Sequence, residues 1–260
     1  MNEILRLTNI KKKYKNLQVL KDINLYIKRG EFVCLLGPSG SGKTTLFKIV
    51  SGLINASEGE VIVASDVRKG YVFQEPRLLP WKTVEENISF VQKNYLQNAE
   101  AKNIREKLLY YTGLQGIIHN YPGQLSGGMK QRIEFMRALS IKPDLLMLDE
   151  PFKSIDAQTL FNLRQMLLRI FEESDMSIFM ITHNPEEAVL LADRIYILSS
   201  KPARIIRELK FKRPQYERSL HDKNIYESIE EIIDLFNDIV GEFRWGKNEK
   251  SRDILKNLNL

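Results

Sequence analysis

The residues best suited to chemistry in this chain form a glycine-rich turn that carries a lysine and two threonines. The turn has the sequence Gly37, Pro38, Ser39, Gly40, Ser41, Gly42, Lys43, Thr44 and Thr45. Glycines let successive backbone N–H groups curl around an anion at the positive end of a helix. Lys43 can then reach the β- and γ-phosphates of a nucleoside triphosphate, and the Thr44 hydroxyl can bind Mg²⁺. A preceding apolar run and a following helix-like segment favour this P-loop over an ordinary glycine-rich turn.

Two carboxylates and a histidine follow later apolar runs. Asp149 and Glu150 end the strand predicted at 145–148, and His183 follows the strand predicted at 177–181. In an open α/β sheet the ligand lies at the carboxyl ends of the strands. Asp149 is thus placed to hold hydrated magnesium, and Glu150 to activate a water. His183 can donate to a γ-phosphate, although a polar turn and a plain surface histidine are the simpler alternatives.

Gln74 and Tyr14 are weaker candidates. Gln74 ends a strand predicted at 70–73, where its amide could contact magnesium or water, and a surface glutamine is the alternative. Tyr14 falls in a polar loop predicted at 11–16, between strands predicted at 4–10 and 20–27. An exposed aromatic ahead of a P-loop can stack on adenine, or it can cap its own sheet.

A second helix start suited to an anion lies at Ser126, Gly127 and Gly128, ahead of a helix predicted through 139. A helical insertion predicted at 83–114 precedes it. One nucleotide bound within one subunit needs only the first helix start. The second therefore suggests a nucleotide shared between two subunits.

Composition limits the class of protein. The 260 residues are 43% apolar, enough for one large domain or for a domain with an appendage. No apolar stretch approaches the roughly 20 residues that span a bilayer, and the first residues lack a signal-peptide layout, so a cytoplasmic protein is expected. The net charge is +6, but the only tight basic run is at 11–13, which favours a solvated face over a nucleic-acid site. The single cysteine, Cys34, is expected to be a buried thiol.

The tail after residue 213 has its own pattern. One apolar stripe recurs at helical spacing, and it consists of Ile225, Ile229, Ile232, Phe236, Ile239 and Phe243. A helix packed on its own body is the simpler interpretation, and a contact with a partner or a second copy is the alternative. Because every candidate catalytic residue precedes the tail, truncation after Arg213 is expected to leave catalysis intact.

Taken in order, these motifs resemble one family. The P-loop, Gln74, the run Leu125-Ser-Gly-Gly-Met129, the strand ending in Asp149 and Glu150, then Asp156 and His183 are similar to the ATP-binding subunit of ABC transporters over about residues 1–213. Residues 74–81 resemble the subgroup that imports nitrate, sulfonates, taurine and related solutes such as thiamine precursors.

The resemblance implies a role for each residue. Tyr14 would stack on adenine, Lys43 and the loop amides would hold phosphate, and Thr44 with Gln74 would approach Mg²⁺. Glu150 would polarise the attacking water, and His183 would contact the γ-phosphate. In the same family pattern, Ser126, Gly127 and Gly128 would bind the ATP held by the other subunit. Asp156 would communicate across the dimer at this shared nucleotide site.

The resemblance also implies an architecture and partners. The fold is expected to be α/β, a P-loop NTPase of ABC type with a RecA-like core, an antiparallel β-subdomain, a helical subdomain at about 80–138 and a C-terminal helical extension at 214–260. The expected partners are a second copy, membrane permease subunits and, indirectly, a solute-binding protein, at the cytoplasmic face of the membrane. Nucleic acid is not expected.

Three residues depart from the usual family pattern, namely Lys153, Ile155 and Asn184. None of them removes a catalytic group, but they leave open how strongly ATP hydrolysis is coupled to transport. The alternative class is a soluble ABC ATPase that works on DNA or ribosomes. Such proteins usually carry a long coiled-coil insertion or two cassettes, and this chain has one P-loop and a short insertion.

Overall fold

A computed structural model describes residues 3–153 and 155–240. The strands are β1 (Glu3–Tyr14), β2 (Leu17–Lys28), β3 (Phe32–Leu36), β4 (Glu58–Val63), β5 (Lys69–Val72), β6 (Leu145–Asp149), β7 (Ser177–Thr182), β8 (Arg194–Leu198) and β9 (Ile205–Lys210). The helices are α1 (Lys43–Val50), α2 (Val84–Gln92), α3 (Asn98–Thr112), α4 (Gly127–Leu139), α5 (Ala157–Glu172), α6 (Pro185–Leu191) and α7 (Lys223–Val240).

The larger sheet has the strand order β5-β6-β7-β3-β8-β9. The first five strands are parallel, and β9 pairs antiparallel at the edge. All residues of β3, β6, β7 and β8 are buried, as expected for parallel strands covered on both faces. Apolar clusters lie on both faces of this sheet, and Cys34 belongs to one of them as a free buried thiol.

The smaller sheet is antiparallel, in the order β2-β1-β4. Its first two strands are longer than predicted, because pairing continues from Lys12 opposite Leu20 to Tyr14 opposite Leu17. The loop predicted at 11–16 is therefore wrong: only residues 15 and 16 turn, and Lys15 takes a positive φ of 50° there. Tyr14 is the last residue of β1 rather than a loop residue.

Helices α2, α3 and α4 make up the helical segment between β5 and β6. The insertion predicted at 83–114 is two helices, and α2 begins with a capping box formed by Thr83 and Glu86. The helix predicted after residue 126 is confirmed as α4. Helix α4 approaches β5 at Gly70, where a Cβ atom would lie 2.8 Å from the carbonyl oxygen of Ala138. This close approach explains why the position tolerates no side chain without a shift of the backbone.

Helix α7 packs on the body of the same chain. Ile225, Ile229 and Ile232 are buried in the apolar cluster that also includes α6. Ahead of the helix, the Arg218 guanidinium donates to the carbonyl oxygens of Val189 at 2.9 Å and Ala192 at 2.6 Å. The self-packing interpretation of the stripe is confirmed for these residues, while Phe243 lies outside the described residues.

Candidate functional site

Parallel pairing brings the ends of three strands together. Leu36 of β3 pairs with Thr182 of β7, and Asp149 of β6 pairs with Ile181. The P-loop, Glu150 and His183 each begin where one of these strands stops. Residues far apart in the sequence therefore meet at one edge of the sheet.

The P-loop turns tightly between β3 and α1. Gly40 and Gly42 have φ values of 77° and 112°, in the left-handed region that favours glycine. The Gly42 carbonyl accepts from the Leu46 amide at 2.9 Å, which starts α1. A Cβ atom on Gly42 would lie 3.0 Å from Val19, so this glycine also lets β2 come close to the loop.

Lys43 is largely enclosed, with 5% of its surface exposed. Its ammonium donates to the carbonyl oxygens of Gly37 at 2.8 Å and Pro38 at 2.9 Å. Burial lowers the pKa of Lys43, and the carboxylates of Glu150 and Asp149 oppose that shift. The Lys43 ammonium is thus held against the loop and is already largely desolvated.

A cavity of 230 Å³ lies at this loop. Its lining consists of Ser39, Gly40, Gly42, Lys43, Thr44, Thr45, Glu150, Lys153 and Lys201. The hydroxyl of Ser41, a residue of the loop itself, is buried and has no hydrogen-bond partner within the described residues. The lining is cationic and rich in donors, which suits a polyphosphate.

Glu150 lies between two basic groups. Its Oε1 is 3.3 Å from Nδ1 of His183, and its Oε2 is 3.6 Å from Nζ of Lys153. The backbone of Glu150 takes a positive φ of 43°, and its amide donates to the carbonyl oxygen of Ile181 at 2.9 Å. The carboxylate is 14% exposed and lines the cavity beside the P-loop, a position suited to orienting a water.

Asp149 is buried beside Glu150. Burial, followed by the charge of Glu150, raises the pKa of Asp149 to about 6. Its Oδ1 atom has no hydrogen-bond partner within residues 3–153 and 155–240. A buried carboxylate oxygen without a partner, next in sequence to Glu150 of the P-loop cavity, fits the outer shell of a hydrated Mg²⁺, which prefers oxygen ligands and keeps several waters.

Gln74 lines a neighbouring cavity rather than the one at the P-loop. This second cavity measures 400 Å³ and is lined by Gln74, Glu75, Pro76, Gly127, Gln131, Lys153 and Ile155. Within one chain, Gln74 and Gly127 share a cavity, while Thr44 lines the other. Gln74 and Thr44, which the family resemblance places together at Mg²⁺, thus line different members of this pair of cavities.

The second helix start is exposed. The Ser126 hydroxyl accepts from the Met129 amide at 3.3 Å and caps α4, and both Ser126 and Gly127 are open to solvent. Gly128 faces α5, where an added Cβ atom would lie 4.0 Å from Oδ2 of Asp156. None of Ser126, Gly127 and Gly128 lines the chain's own P-loop cavity.

Tyr14 and Asp156 lie apart from the P-loop cavity. Tyr14 is 46% exposed, and the Lys12 ammonium lies 5.0 Å from the centre of its ring. Asp156 caps α5 by accepting from the Thr159 amide at 3.0 Å, and this bond lowers the pKa of Asp156. Within one chain, the structural role of Asp156 is therefore to cap α5.

Sequence reasoning overlooked two lysines of the P-loop cavity and one buried pair. Lys153 was singled out only as a departure from the family pattern, and Lys201 was not singled out at all.

The Thr182 hydroxyl donates to Oε2 of Glu187 at 2.7 Å, and burial raises the pKa of Glu187. Asn184, another departure, caps α6 by accepting from the Glu186 amide at 2.9 Å.

The fold and the site define a P-loop nucleotide-binding protein, and comparison with known proteins narrows the class. The family model described as ABC transporter matches residues 20–153. An aliphatic sulfonates import ATP-binding protein of Bacillus cereus is 39% identical over 225 residues, covering 84% of this chain and 88% of the relative. A nitrate import ATP-binding protein of Synechocystis is 42% identical over 209 residues, covering 77% and 78%. The chain belongs to the ABC transporter family.

Solved structures agree with this family. The dimeric structure of MJ0796, a bacterial ABC transporter cassette, is 31% identical with a TM-score of 0.72, covering 80% of this chain and 99% of that one. A dimeric post-hydrolysis state of the same cassette, bound to ADP and Pi, has a TM-score of 0.70 with the same identity and coverage. The expected α/β fold of the ABC type is thereby confirmed.

Across residues 3–153 and 155–240, none of the helices combines the length and the apolar content that crossing a bilayer requires.

Proposed function

We propose that this chain is the ATP-binding, ATP-hydrolysing subunit of a bacterial ABC importer, working with Mg²⁺. The observation that carries this proposal is the position of Glu150, which lines the P-loop cavity and faces His183 at 3.3 Å. A phosphate cradle beside an oriented carboxylate is the arrangement that nucleotide hydrolysis needs.

In this mechanism the chain's residues mainly align and stabilise charge. The loop amides and Lys43 hold the phosphates, and the Thr44 hydroxyl with the carboxylate of Asp149 holds the hydrated Mg²⁺, which offsets phosphate charge when bound. Glu150 orients the attacking water and accepts its proton, and His183 donates to the γ-phosphate. Because the transition state of phosphoryl transfer is loose and highly charged, hydrolysis depends on complete assembly of these donors.

Two copies of the chain complete each site in this proposal. Ser126 and Gly127 are exposed and line no wall of their own P-loop cavity. The N-terminus of α4 is therefore free to bind the γ-phosphate held by a second copy, next to that copy's P-loop. The dimeric form of the related cassette supports this arrangement.

The relatives suggest the transported class. The solutes in the names of these relatives are aliphatic sulfonates, nitrate and, for a third relative, bicarbonate. All of these solutes are small anions. We therefore assign this chain to uptake of a small organic or inorganic solute. The permease contact is assigned to residues 74–81, where Trp81 is 70% exposed. The solute would come from a separate binding protein, and the chain would lie at the cytoplasmic face of the membrane.

The alternative of a soluble ABC ATPase for DNA or ribosomes has no support among these relatives, whose names describe transport. Two measurements test the proposal together. The purified chain should release phosphate from ATP only when Mg²⁺ is present. In its host, the tagged chain should sediment with membranes and be released by an alkaline wash. Sedimentation with ribosomes or DNA, or no phosphate release, would contradict it.

A further inference from the structure

We propose that Lys153 binds the γ-phosphate of ATP and exchanges its contact with Glu150 for that phosphate when the nucleotide arrives. This inference rests on the proposed ATP-binding function and adds a specificity residue outside the glycine-rich loop. Lys153 lines three cavities: the one at the P-loop, the one at Gln74, and one of 250 Å³ at His183. Among residues 3–153 and 155–240, no other side chain lines all three of these cavities. It therefore lies where the end of a phosphate chain, the water and the second subunit would meet.

A tight turn brings Lys153 back beside Glu150. The Lys153 amide donates to the Glu150 carbonyl at 3.2 Å, which closes the turn and puts the two side chains three residues apart on one side. Their charged atoms are 3.6 Å apart. The contact is an ion pair at the longer end of the range, so it can be given up for a stronger partner.

The backbone of this turn is fixed by the packing of one side chain and by one hydrogen bond. Phe152 is buried and stacks on Phe135 with ring centres 5.9 Å apart. Gln131 of α4 donates its amide to the Pro151 carbonyl at 2.9 Å. The base of Lys153 is thus held while its ammonium, on a half-exposed side chain, can move between neighbours.

The charges in the P-loop cavity favour a polyanion with more negative charge than Glu150 supplies. Lys43, Lys153 and Lys201 all line this cavity, against one lining carboxylate. Lys153 lies close enough to Lys43 to contribute to the lowering of the Lys43 pKa. A terminal phosphate, with its greater charge, would relieve this repulsion and compete with the Glu150 carboxylate for Lys153. The exchange would also leave Glu150 free to bind the attacking water.

The test is the ratio of affinities for two nucleotides that differ in the γ-phosphate. Displacement of a fluorescent ADP analogue from the full chain would give Kd for AMPPNP, which is not hydrolysed, and for ADP. Lys153→Ala should weaken AMPPNP binding by about 5-fold or more, since a half-exposed charged contact is lost, and ADP binding by less than about 2-fold. Lys153→Arg should keep the parent ratio.

Lys201→Ala is the matched comparison, because it removes the same charge from the same cavity, and among the described residues Lys201 forms no ion pair with Glu150. It should weaken both nucleotides by the same factor. An unchanged ratio in Lys153→Ala, or an equal change of ratio in Lys201→Ala, would overturn the inference while leaving ATP binding intact. If the parent chain bound neither nucleotide, the proposed function itself would fail. A merely structural role for Lys153 would lower both affinities alike.

Discussion

The ammonium of Lys43 holds the P-loop together from inside, since it donates to two carbonyl oxygens of the loop. The same group faces the cavity in which phosphate is proposed to bind. One side chain therefore both shapes the loop and supplies its charge. Removing it should affect binding more than the loss of a surface lysine would.

We expect Lys43→Ala to weaken ATP binding by about 10- to 100-fold, which corresponds to the loss of one hydrogen-bonded charge contact. Lys48→Ala removes an exposed lysine from the same helix and should stay within about 2-fold of the parent. Titration with a fluorescent ATP analogue measures both. Equal affinities for the parent and Lys43→Ala would refute the phosphate role of this residue.

Asp149 gives a second prediction at this scale, through pH. Its pKa is raised from 3.8 to about 6 in the folded chain, so the folded state binds the proton more tightly than the unfolded state. The free energy of unfolding therefore falls as the pH rises between these values, and the deficit persists above them. Asp149→Asn removes this deficit, which is at most about 3 kcal/mol.

Denaturant unfolding with EDTA present checks that prediction. The Asp149→Asn variant should match the parent near pH 4 and be the more stable of the two at pH 7.5. A difference between variant and parent that does not change with pH would contradict a raised pKa for this carboxyl group.

Among the elements, α7 packs against the rest of the described chain. Ile232 is 0% exposed and lies in the main apolar cluster, whereas the next residue, Ile233, is 44% exposed. Together with the buried Arg218 contacts, this packing reverses the expectation for truncation after Arg213. Removal of these residues would uncover apolar surface, and we now expect the shortened chain to be unstable.

Ile232→Ala should lower the free energy of unfolding by about 2–4 kcal/mol, because it leaves a cavity in the core. Ile233→Ala, the same change one residue along the same helix, should cost less than about 1 kcal/mol. Urea denaturation of both variants provides the comparison. Equal losses for the two variants would mean that α7 does not pack as described.

How well the elements could be predicted depended on how local their signals are. The P-loop, β6 and α4 were predicted because a glycine turn, an unbroken apolar run and a serine cap each act within a few residues. The extension of β1 beyond Ile10 to Tyr14 depends on pairing with β2, and β9 depends on pairing with β8. Neither was predicted, since a polar edge has no apolar pattern of its own.

The same distinction holds for the site. The clustering of Lys43, Glu150 and His183 followed from strand ends at one edge of a parallel sheet. Lys201 reaches the cavity only because β8 lies next to β3, an order that its own sequence does not reveal. Lys153 needs the turn after Glu150, which depends on a positive φ at a residue other than glycine. Contacts of this kind arise from tertiary structure.

At the scale of the whole molecule, ATP hydrolysis is proposed to need two chains that share each nucleotide. One chain supplies a cavity lined by the P-loop, Glu150 and two further lysines. Its other helix start, at Ser126 and Gly127, is exposed and does not line that cavity. The arrangement predicts that bound, unhydrolysed ATP holds two copies together.

The most direct measurement is light scattering of the Glu150→Gln variant with and without Mg-ATP. The substitution keeps the size of the side chain and its hydrogen bonding but removes the carboxylate that activates water, so binding should survive while hydrolysis stops. The variant should then be a dimer with ATP and a monomer without it. Adding Ser126→Arg should abolish the dimer and leave ATP binding largely unchanged. A Glu150→Gln variant that stays monomeric at saturating ATP, or hydrolyses at the parent rate, would contradict the shared-site account.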